Sequence, residues 1–309
     1  MGGIVAEGVG RSFGGVHAVR DATFHAAEGR ITGLVGPNGA GKTTLLLMLA
    51  SLLAPDRGSI RVADVDPVAD PIAARRMLGW MPDALGAWLS LTVRESIVTT
   101  ARLHDLAPPD ADRRAAELLD LVGLEQLAST PAKVLSRGQK QKLGLARALV
   151  HDPRILLLDE PASGLDPQAR VQLRTLLRRL AEEGRTILIS SHVLSELEEV
   201  ADDTVFLVAG SVVDAPAVRA RTWRIRILPE DVPEAGAEVR RSRAAAALGI
   251  AEEAVGVDRG DLLLALPDEP AAAEALRRLV AAGIPVIGFA PAQSDLEQAF
   301  LALDEGSGR

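Results

Sequence analysis

One segment, residues 36–44, constrains the fold of this chain more than any other. It reads Gly-Pro-Asn-Gly-Ala-Gly-Lys-Thr-Thr, follows an apolar run at residues 31–35 and precedes another at residues 45–50. An apolar strand, a glycine-rich loop and an apolar helix in this order are typical of a phosphate-binding loop. The glycines allow backbone N–H groups to surround a polyphosphate, and the helix start adds the positive end of its dipole. An ordinary glycine-rich turn beside a lysine is the alternative, which the complete motif disfavours.

Two side chains of this loop indicate a specific chemistry. Lys42 can reach the β- and γ-phosphates of a bound polyphosphate, and the hydroxyl of Thr43 can ligate Mg²⁺. We therefore predict a phosphate site with an associated magnesium ion. The residues predicted to contact the ligand here are Gly36, Pro37, Asn38, Gly39, Ala40, Gly41, Lys42, Thr43 and Thr44.

A second candidate for chemistry is the acidic pair at residues 159 and 160. Four apolar residues precede Asp159 and Glu160, which is typical of a central parallel strand buried on both faces. Ligands bind at the carboxyl ends of such strands. Asp159 can hold Mg²⁺, and Glu160 can act as a general base on an attacking water. A solvated acidic strand end is the alternative, which the upstream phosphate loop disfavours.

Three further positions are candidates. His192 follows the apolar run at residues 186–190 and can hydrogen-bond a γ-phosphate. Ser136 precedes a helical pattern at residues 140–150 and can cap it, leaving backbone N–H groups for a phosphate. Taken alone, that segment is better explained as an ordinary capped helix. Phe13 can stack on a purine ring or pack as a core or turn residue, and the sequence favours neither.

Composition limits the class of protein. The chain has 309 residues, of which 48% are hydrophobic and 25% charged, as in globular proteins. The sequence contains no apolar run of 18 residues and no visible secretory signal, so we expect a cytoplasmic protein. Without cysteine there is no disulfide and no thiolate site. The formal charge of −8 gives no general attraction to nucleic acid, and we predict no nucleic-acid partner.

The order of patterns predicts an α/β chain with two domains. Short strands precede the phosphate loop, and helical patterns dominate residues 92–150. We predict a nucleotide-binding domain at residues 1–220, with a helical subdomain at about residues 85–150, and a small α+β accessory domain at residues 221–309. The accessory domain's strand candidates are residues 222–228, 261–266 and 284–289, and its helix candidates are residues 235–248, 270–282 and 294–304.

Together, these motifs resemble those of the ATP-binding subunits of ABC transporters, over roughly residues 3–215. Five motifs in the family's order and spacing carry the resemblance, and the signature motif separates this family from other P-loop proteins. The corresponding segments are residues 36–44 (Walker A), 135–139 (signature), 155–160 (Walker B), 163–166 (D-loop) and His192 (switch histidine). Phe13 lies where the family has an aromatic residue that stacks on adenine.

The resemblance implies an ABC-type P-loop NTPase with an N-terminal antiparallel β subdomain and a helical insert. It implies ATP hydrolysis with Mg²⁺, with Lys42, Glu160 and His192 as catalytic residues. Two copies are expected to pair head to tail, with each ATP held between Walker A of one copy and the signature of the other. The positions that would then contact nucleotide are Ser136, Gly138, Gln139 and Asp166.

The resemblance also implies a partner and a direction of transport. Opening and closing of the dimer would drive a separate transmembrane permease, which places the chain on the inner face of the cell membrane. Residues 294–300 resemble the tail of multidrug and antibiotic exporter ATPases, so export is expected. A soluble ABC ATPase of translation or DNA repair is an alternative, but such proteins usually carry two ATPase domains or a long coiled-coil insertion. A regulator without turnover is another, and Glu160 and His192 disfavour it.

Two positions depart from the family's pattern. Arg137 stands in the signature where glycine is more usual, and Asp83 stands where the family usually has glutamine. A carboxylate can ligate Mg²⁺, but it is shorter than glutamine, charged and unable to donate a hydrogen bond. We predict Asp83 as a magnesium ligand beside Thr43 and Asp159, in a functional ATPase with altered metal coordination or coupling. The alternative is that a neighbouring residue takes this role.

Overall fold

The computed structural model describes residues 2–84, 90–214, 221–228, 236–293, 297 and 300. The chain divides into two compact units, Met1–Asp214 and Ala215–Arg309. Within these described residues, no helix is both long enough and apolar enough to cross a membrane.

The first unit contains a nine-stranded sheet with the order β4-β1-β2-β9-β8-β3-β7-β6-β5. The strands β5, β6, β7, β3 and β8 pair in parallel, whereas β4, β1 and β2 form an antiparallel edge. The predicted P-loop α/β fold with an N-terminal antiparallel part is thereby confirmed. The strands are β1 (Ile4–Phe13), β2 (Val16–Ala26), β3 (Ile31–Val35), β4 (Arg57–Val62), β5 (Leu78–Met81), β6 (Ile155–Asp159), β7 (Thr186–Ser191), β8 (Asp203–Val208) and β9 (Ser211–Val213).

Three of the helices of this unit form the predicted helical insert between β5 and β6. The helix after Ser136 begins at Arg137, which confirms Ser136 as its predicted N-cap, and Ser136 and Gln139 form a capping box there. Residues 85–89 of the predicted insert lie outside the described residues. The helices are α1 (Lys42–Leu49), α2 (Pro71–Met77), α3 (Val93–Leu103), α4 (Pro108–Val122), α5 (Arg137–Ala148), α6 (Pro167–Glu182) and α7 (Leu194–Glu198), and α3 to α5 make up the insert.

The central strands place the functional segments. Every residue of β3, β6 and β7 is buried, which accounts for their nearly continuous apolar sequences. Because the three strands are parallel neighbours in the order β3-β7-β6, their carboxyl ends meet at one edge of the sheet. The phosphate loop, the acidic pair and His192 all follow at that edge.

The second unit contains a four-stranded antiparallel sheet with the order β11-β12-β10-β13. Two helices contribute to its core, and the βαββαβ sequence of elements is that of a ferredoxin-like fold. The short strand β11 was not among the predicted strands, because its four residues include a glycine and a terminal aspartate. Residues 294–300 resemble the tail of exporter ATPases in sequence. Of these residues, the structure describes Glu297 and Phe300. The elements are β10 (Arg221–Ile227), α8 (Gly236–Leu248), β11 (Val255–Asp258), β12 (Asp261–Leu266), α9 (Glu269–Ala281) and β13 (Val286–Pro291).

Candidate active site

An open cleft lies at the carboxyl edge of the central strands. Its lining brings together the phosphate loop, the two acidic residues at the carboxyl end of β6, and Asp83, which stands where the family usually has glutamine. The lining residues are Ala18, Asn38, Gly39, Gly41, Lys42, Thr43, Thr44, Asp83, Asp159 and Glu160. The structure therefore assembles in one place most of the residues predicted for one chain's nucleotide.

Close backbone contacts explain two of the loop's glycines. Gly41 has a φ of 103°, and a Cβ atom there would lie 2.2 Å from the carbonyl oxygen of Ala18. A Cβ atom at Gly36 would lie 2.3 Å from the carbonyl oxygen of Leu207. Any side chain at either position would push these backbone segments apart. The glycines thus allow the loop to fold tightly against β2 and β8.

The ammonium group of Lys42 is held inside the loop. Its Nζ donates hydrogen bonds to the carbonyl oxygens of Gly36 at 2.6 Å and Pro37 at 3.1 Å. Burial lowers the pKa of Lys42, while the negative charges of Glu160 and Asp159 act in the opposite direction. Phosphate oxygens are stronger acceptors for an ammonium than neutral carbonyls are. The side chain can therefore exchange a loop carbonyl for a phosphate oxygen when a polyphosphate is bound.

Asp159 is fixed by hydroxyl groups on both of its oxygens. Thr43 Oγ1 donates to Asp159 Oδ2 at 2.9 Å, and Ser190 Oγ donates to Asp159 Oδ1 at 2.5 Å. The carboxylate is 3% exposed and faces the cleft beside the phosphate loop. One hydroxyl and one carboxylate beside a phosphate site are the oxygen ligands that Mg²⁺ takes in nucleotide enzymes, with phosphates completing the set. The residues present therefore fit a magnesium ion.

Ser190 contacts both acidic residues, and the sequence analysis did not identify it. It is fully buried, and its Oγ also accepts a hydrogen bond from the backbone N–H of Glu160 at 3.1 Å. It thereby supports both acidic residues from the neighbouring strand β7. The sequence shows only a serine near the end of an apolar strand. Its contact with the acidic pair becomes evident from the pairing of Ser190 with Asp159 in neighbouring strands.

Glu160 has an unusual backbone conformation. Its φ of 52° lies in the left-handed region, which costs a residue other than glycine about 1–2 kcal/mol. Hydrogen bonds from its N–H to Ser190 hold this conformation. Its Oε2 atom lies 2.8 Å from Nδ1 of His192, whose side chain is half exposed. The strained turn and the histidine together orient a carboxylate that can accept a proton from a water molecule.

The signature residues have structural partners within one chain. Ser136 Oγ accepts from the N–H of Gln139 at 3.2 Å, and Gln139 Oε1 accepts from the N–H of Ser136 at 2.9 Å. Asp166 similarly caps α6 through the N–H of Ala169. Gly138 packs so closely on the D-loop that a Cβ atom would lie 3.0 Å from the carbonyl oxygen of Gly164. None of these predicted contacts lines the cleft of their own chain, so their nucleotide roles stay predictions.

The sequence analysis left alternatives open for the roles of Phe13 and Asp83. Phe13 lies at the end of β1 with its side chain 47% exposed, and the guanidinium of Arg11 lies 4.9 Å from the ring centroid. It is therefore not a core residue, and its stacking on adenine stays a prediction. Asp83 lines the cleft, and its Oδ1 lies 3.5 Å from a guanidinium nitrogen of Arg137.

The sheet, the glycine loop and the lysine that it encloses define a P-loop nucleotide-binding protein. The family model described as ABC transporter matches residues 19–163. A dimeric bacterial ABC transporter cassette superposes with a TM-score of 0.63 at 26% identity, over 68% of this chain and 97% of that one.

Relatives from three bacteria are similar in sequence. Nod factor export ATP-binding protein I of Bradyrhizobium sp. (strain SNU001) is 39% identical over 203 residues, 66% of either chain. The probable multidrug ABC transporter ATP-binding protein YbhF of Escherichia coli (strain K12) is 36% identical over 290 residues, 93% of this chain and 49% of that protein. The ABC transporter ATP-binding protein NatA of Bacillus subtilis (strain 168) is 35% identical over 199 residues, 64% of this chain and 81% of that protein.

This chain belongs to the family of ABC transporter ATP-binding proteins. The resemblance inferred from the five motifs is thereby confirmed. The chain spans about half to two thirds of the length of the first two relatives.

Proposed function

We propose that this chain binds and hydrolyses ATP and that it powers export through a separate transmembrane permease. The observation that carries the proposal is the arrangement of Lys42, Asp159 and Glu160 around one cleft, with Thr43 bonded to Asp159. Residues 1–220 are the proposed nucleotide-binding domain, and residues 221–309 are the proposed accessory domain.

Different residues of the cleft bind the phosphates and the metal. Lys42 and the N–H groups of the loop bind the β- and γ-phosphates, for which the buried ammonium is already positioned. Thr43 and Asp159 would hold Mg²⁺, and Asp83 lies at the rim of the same cleft, where it is paired with Arg137. The metal, when bound, offsets negative charge on the phosphates.

Glu160 and His192 act on the reaction itself. Glu160 accepts a proton from the water that attacks the γ-phosphate, and its strained backbone places the carboxylate in the cleft. His192 contacts Glu160 and positions the γ-phosphate. The two side chains therefore act as one unit on the attacking side.

A second copy of the chain completes the site. Ser136, Gly138 and Gln139 lie at the start of α5 and contact the nucleotide held by the partner, whose Asp166 lies at the same interface. A helix start offers unpaired N–H groups to a terminal phosphate. The dimeric cassette of similar fold supports this pairing. Phe13, which is exposed at the end of β1, stacks on the adenine.

The names of the relatives support the proposed export. Their names include Nod factor export and multidrug transport, and the match to the multidrug protein extends over 93% of this chain. We propose a homodimer that works on the inner face of the cell membrane with a separate permease. No described feature favours a role in translation or DNA repair.

Phosphate release by the purified chain tests the proposed function. We expect Mg²⁺-dependent hydrolysis of ATP, which Glu160→Gln abolishes while nucleotide binding persists. Glu117→Gln removes an exposed glutamate of the helical insert and serves as the control, with unchanged turnover. Equal phosphate release from Glu160→Gln and the unchanged protein would refute the assigned base. Copurification with a membrane protein from an adjacent reading frame tests the permease.

A further inference from the structure

The two departures from the family's pattern lie in contact with each other. Arg137 begins α5, and Asp83 follows β5, so they come from different parts of the chain. A guanidinium nitrogen of Arg137 lies 3.5 Å from Asp83 Oδ1, and the same nitrogen donates to Ser163 Oγ at 2.6 Å. The unusual arginine therefore connects the unusual aspartate with the D-loop.

Neighbouring residues support this contact. Gln141 lies one helical turn after Arg137 on the same face of α5 and is buried. Its Nε2 donates to the carbonyl oxygen of Asp83 at 3.3 Å, so α5 holds Asp83 at two points. Gly164 has a φ of 74°, and a Cβ atom there would lie 2.7 Å from Cγ and Cδ of Arg137. The D-loop thus leaves room for the arginine stem.

The contact between Arg137 and Asp83 matters because the cleft lining carries a net negative charge. The lining contains one cation, Lys42, and three carboxylates, which belong to Asp83, Asp159 and Glu160. With these groups ionised, the lining alone carries two net negative charges. A neutral glutamine in place of Asp83 would leave one. Because the triphosphate of ATP is itself strongly anionic, an uncompensated third carboxylate at this rim opposes its binding.

We propose that Arg137 is a positioning residue of its own chain's cleft, where it neutralises and orients Asp83 so that Mg·ATP can bind. The proposal rests on the proposed nucleotide site. It makes the two departures a compensated pair, in which the arginine offsets the charge that the aspartate adds. This role in the chain's own cleft is separate from contacts of the signature with a partner's nucleotide.

Nucleotide affinity in three variants tests the compensation. The probes are the β,γ-imido analogue of ATP with Mg²⁺ for binding, and ATP with Mg²⁺ for KM and kcat. Arg137→Gln is expected to weaken binding by about three- to tenfold at low salt, mainly through KM, because Asp83 is left unpaired. Asp83→Asn in the same chain is expected to restore affinity to within about twofold, and Asp83→Asn alone to bind at least as well as the unchanged protein.

Salt and a matched pair provide the controls. The loss in Arg137→Gln should shrink as ionic strength rises, since exposed charges are screened over about 10 Å at 0.1 M salt. Arg94 and Asp112 form a pair of similar exposure in the insert at 3.0 Å, and Arg94→Gln with Asp112→Asn should change neither affinity nor KM.

Three results would overturn the proposal. One is an Arg137→Gln loss that Asp83→Asn does not restore, and another is an equal loss in Asp83→Asn alone, which would make Asp83 a required metal ligand. The third is a loss confined to kcat, which would place Arg137 on the partner's nucleotide. Failure of the unchanged protein to bind the probe would instead refute the proposed function.

Discussion

Ser190 offers a direct test of how the acidic pair is held. Ser190→Ala removes a 2.5 Å hydrogen bond to Asp159 Oδ1 and a 3.1 Å hydrogen bond from the N–H of Glu160. A bond to an ionised group contributes about 1.5–3 kcal/mol, and a neutral one contributes about 0.5–1.5 kcal/mol. Because the residue is fully buried, water does not replace the lost partner. We therefore expect the free energy of unfolding to fall by about 1.5–3 kcal/mol, mainly through Asp159, because the N–H of Glu160 keeps its 3.2 Å bond to the carbonyl oxygen of Ser190.

The matched control lies in the same strand. Thr186 is 1% exposed, and its hydroxyl has no hydrogen-bond partner among the residues that the structure describes. Thr186→Val removes this hydroxyl without leaving a partner unsatisfied, so stability should stay the same or rise slightly. Urea unfolding followed by circular dichroism measures both variants, and phosphate release should fall only in Ser190→Ala. Equal shifts of the urea midpoint in the two variants would refute the assigned role of Ser190.

Three further predictions concern acid stability, loop geometry and the metal. Burial is the main cause that lowers the pKa of His151 to about 4, below its unfolded value of about 6.5, so the fold favours neutral histidine. Stability present above pH 6.5 should therefore fall by about 1–2 kcal/mol as the pH drops to 4, after allowance for solvent screening, and urea unfolding of His151→Gln should show a smaller loss. Gly41→Ala should lose nucleotide binding in calorimetry, whereas Gly184→Ala, also at positive φ but with open space around it, should bind normally. Chelation of Mg²⁺ should stop phosphate release, and added Mg²⁺ should restore it; persistent turnover in chelator would contradict the proposed metal site.

The functional segments that the sequence predicted are local ones. The phosphate loop and the acidic pair are contiguous residues between apolar runs, and the strand before each one is buried as its sequence indicates. His192 was found because it follows a third such strand. Parallel pairing then brings the three segments to one edge, which follows from the α/β pattern itself.

The remaining features depend on contacts between distant residues. Ser190 gains its role only from its register opposite Asp159, and a single serine carries no sign of that pairing. Arg137 and Asp83 were each noted as departures, but nothing in the local sequence indicates that they touch.

The molecular mass of the protein in solution tests the proposed ATP-dependent dimer. Glu160→Gln should bind Mg·ATP without hydrolysing it, and sedimentation equilibrium then reports the mass of the trapped state. We predict a mass near twice the 32.5 kDa of one chain with Mg·ATP, and the mass of one chain without nucleotide. A protein that binds Mg·ATP yet sediments as a single chain at every concentration would contradict the two-chain site.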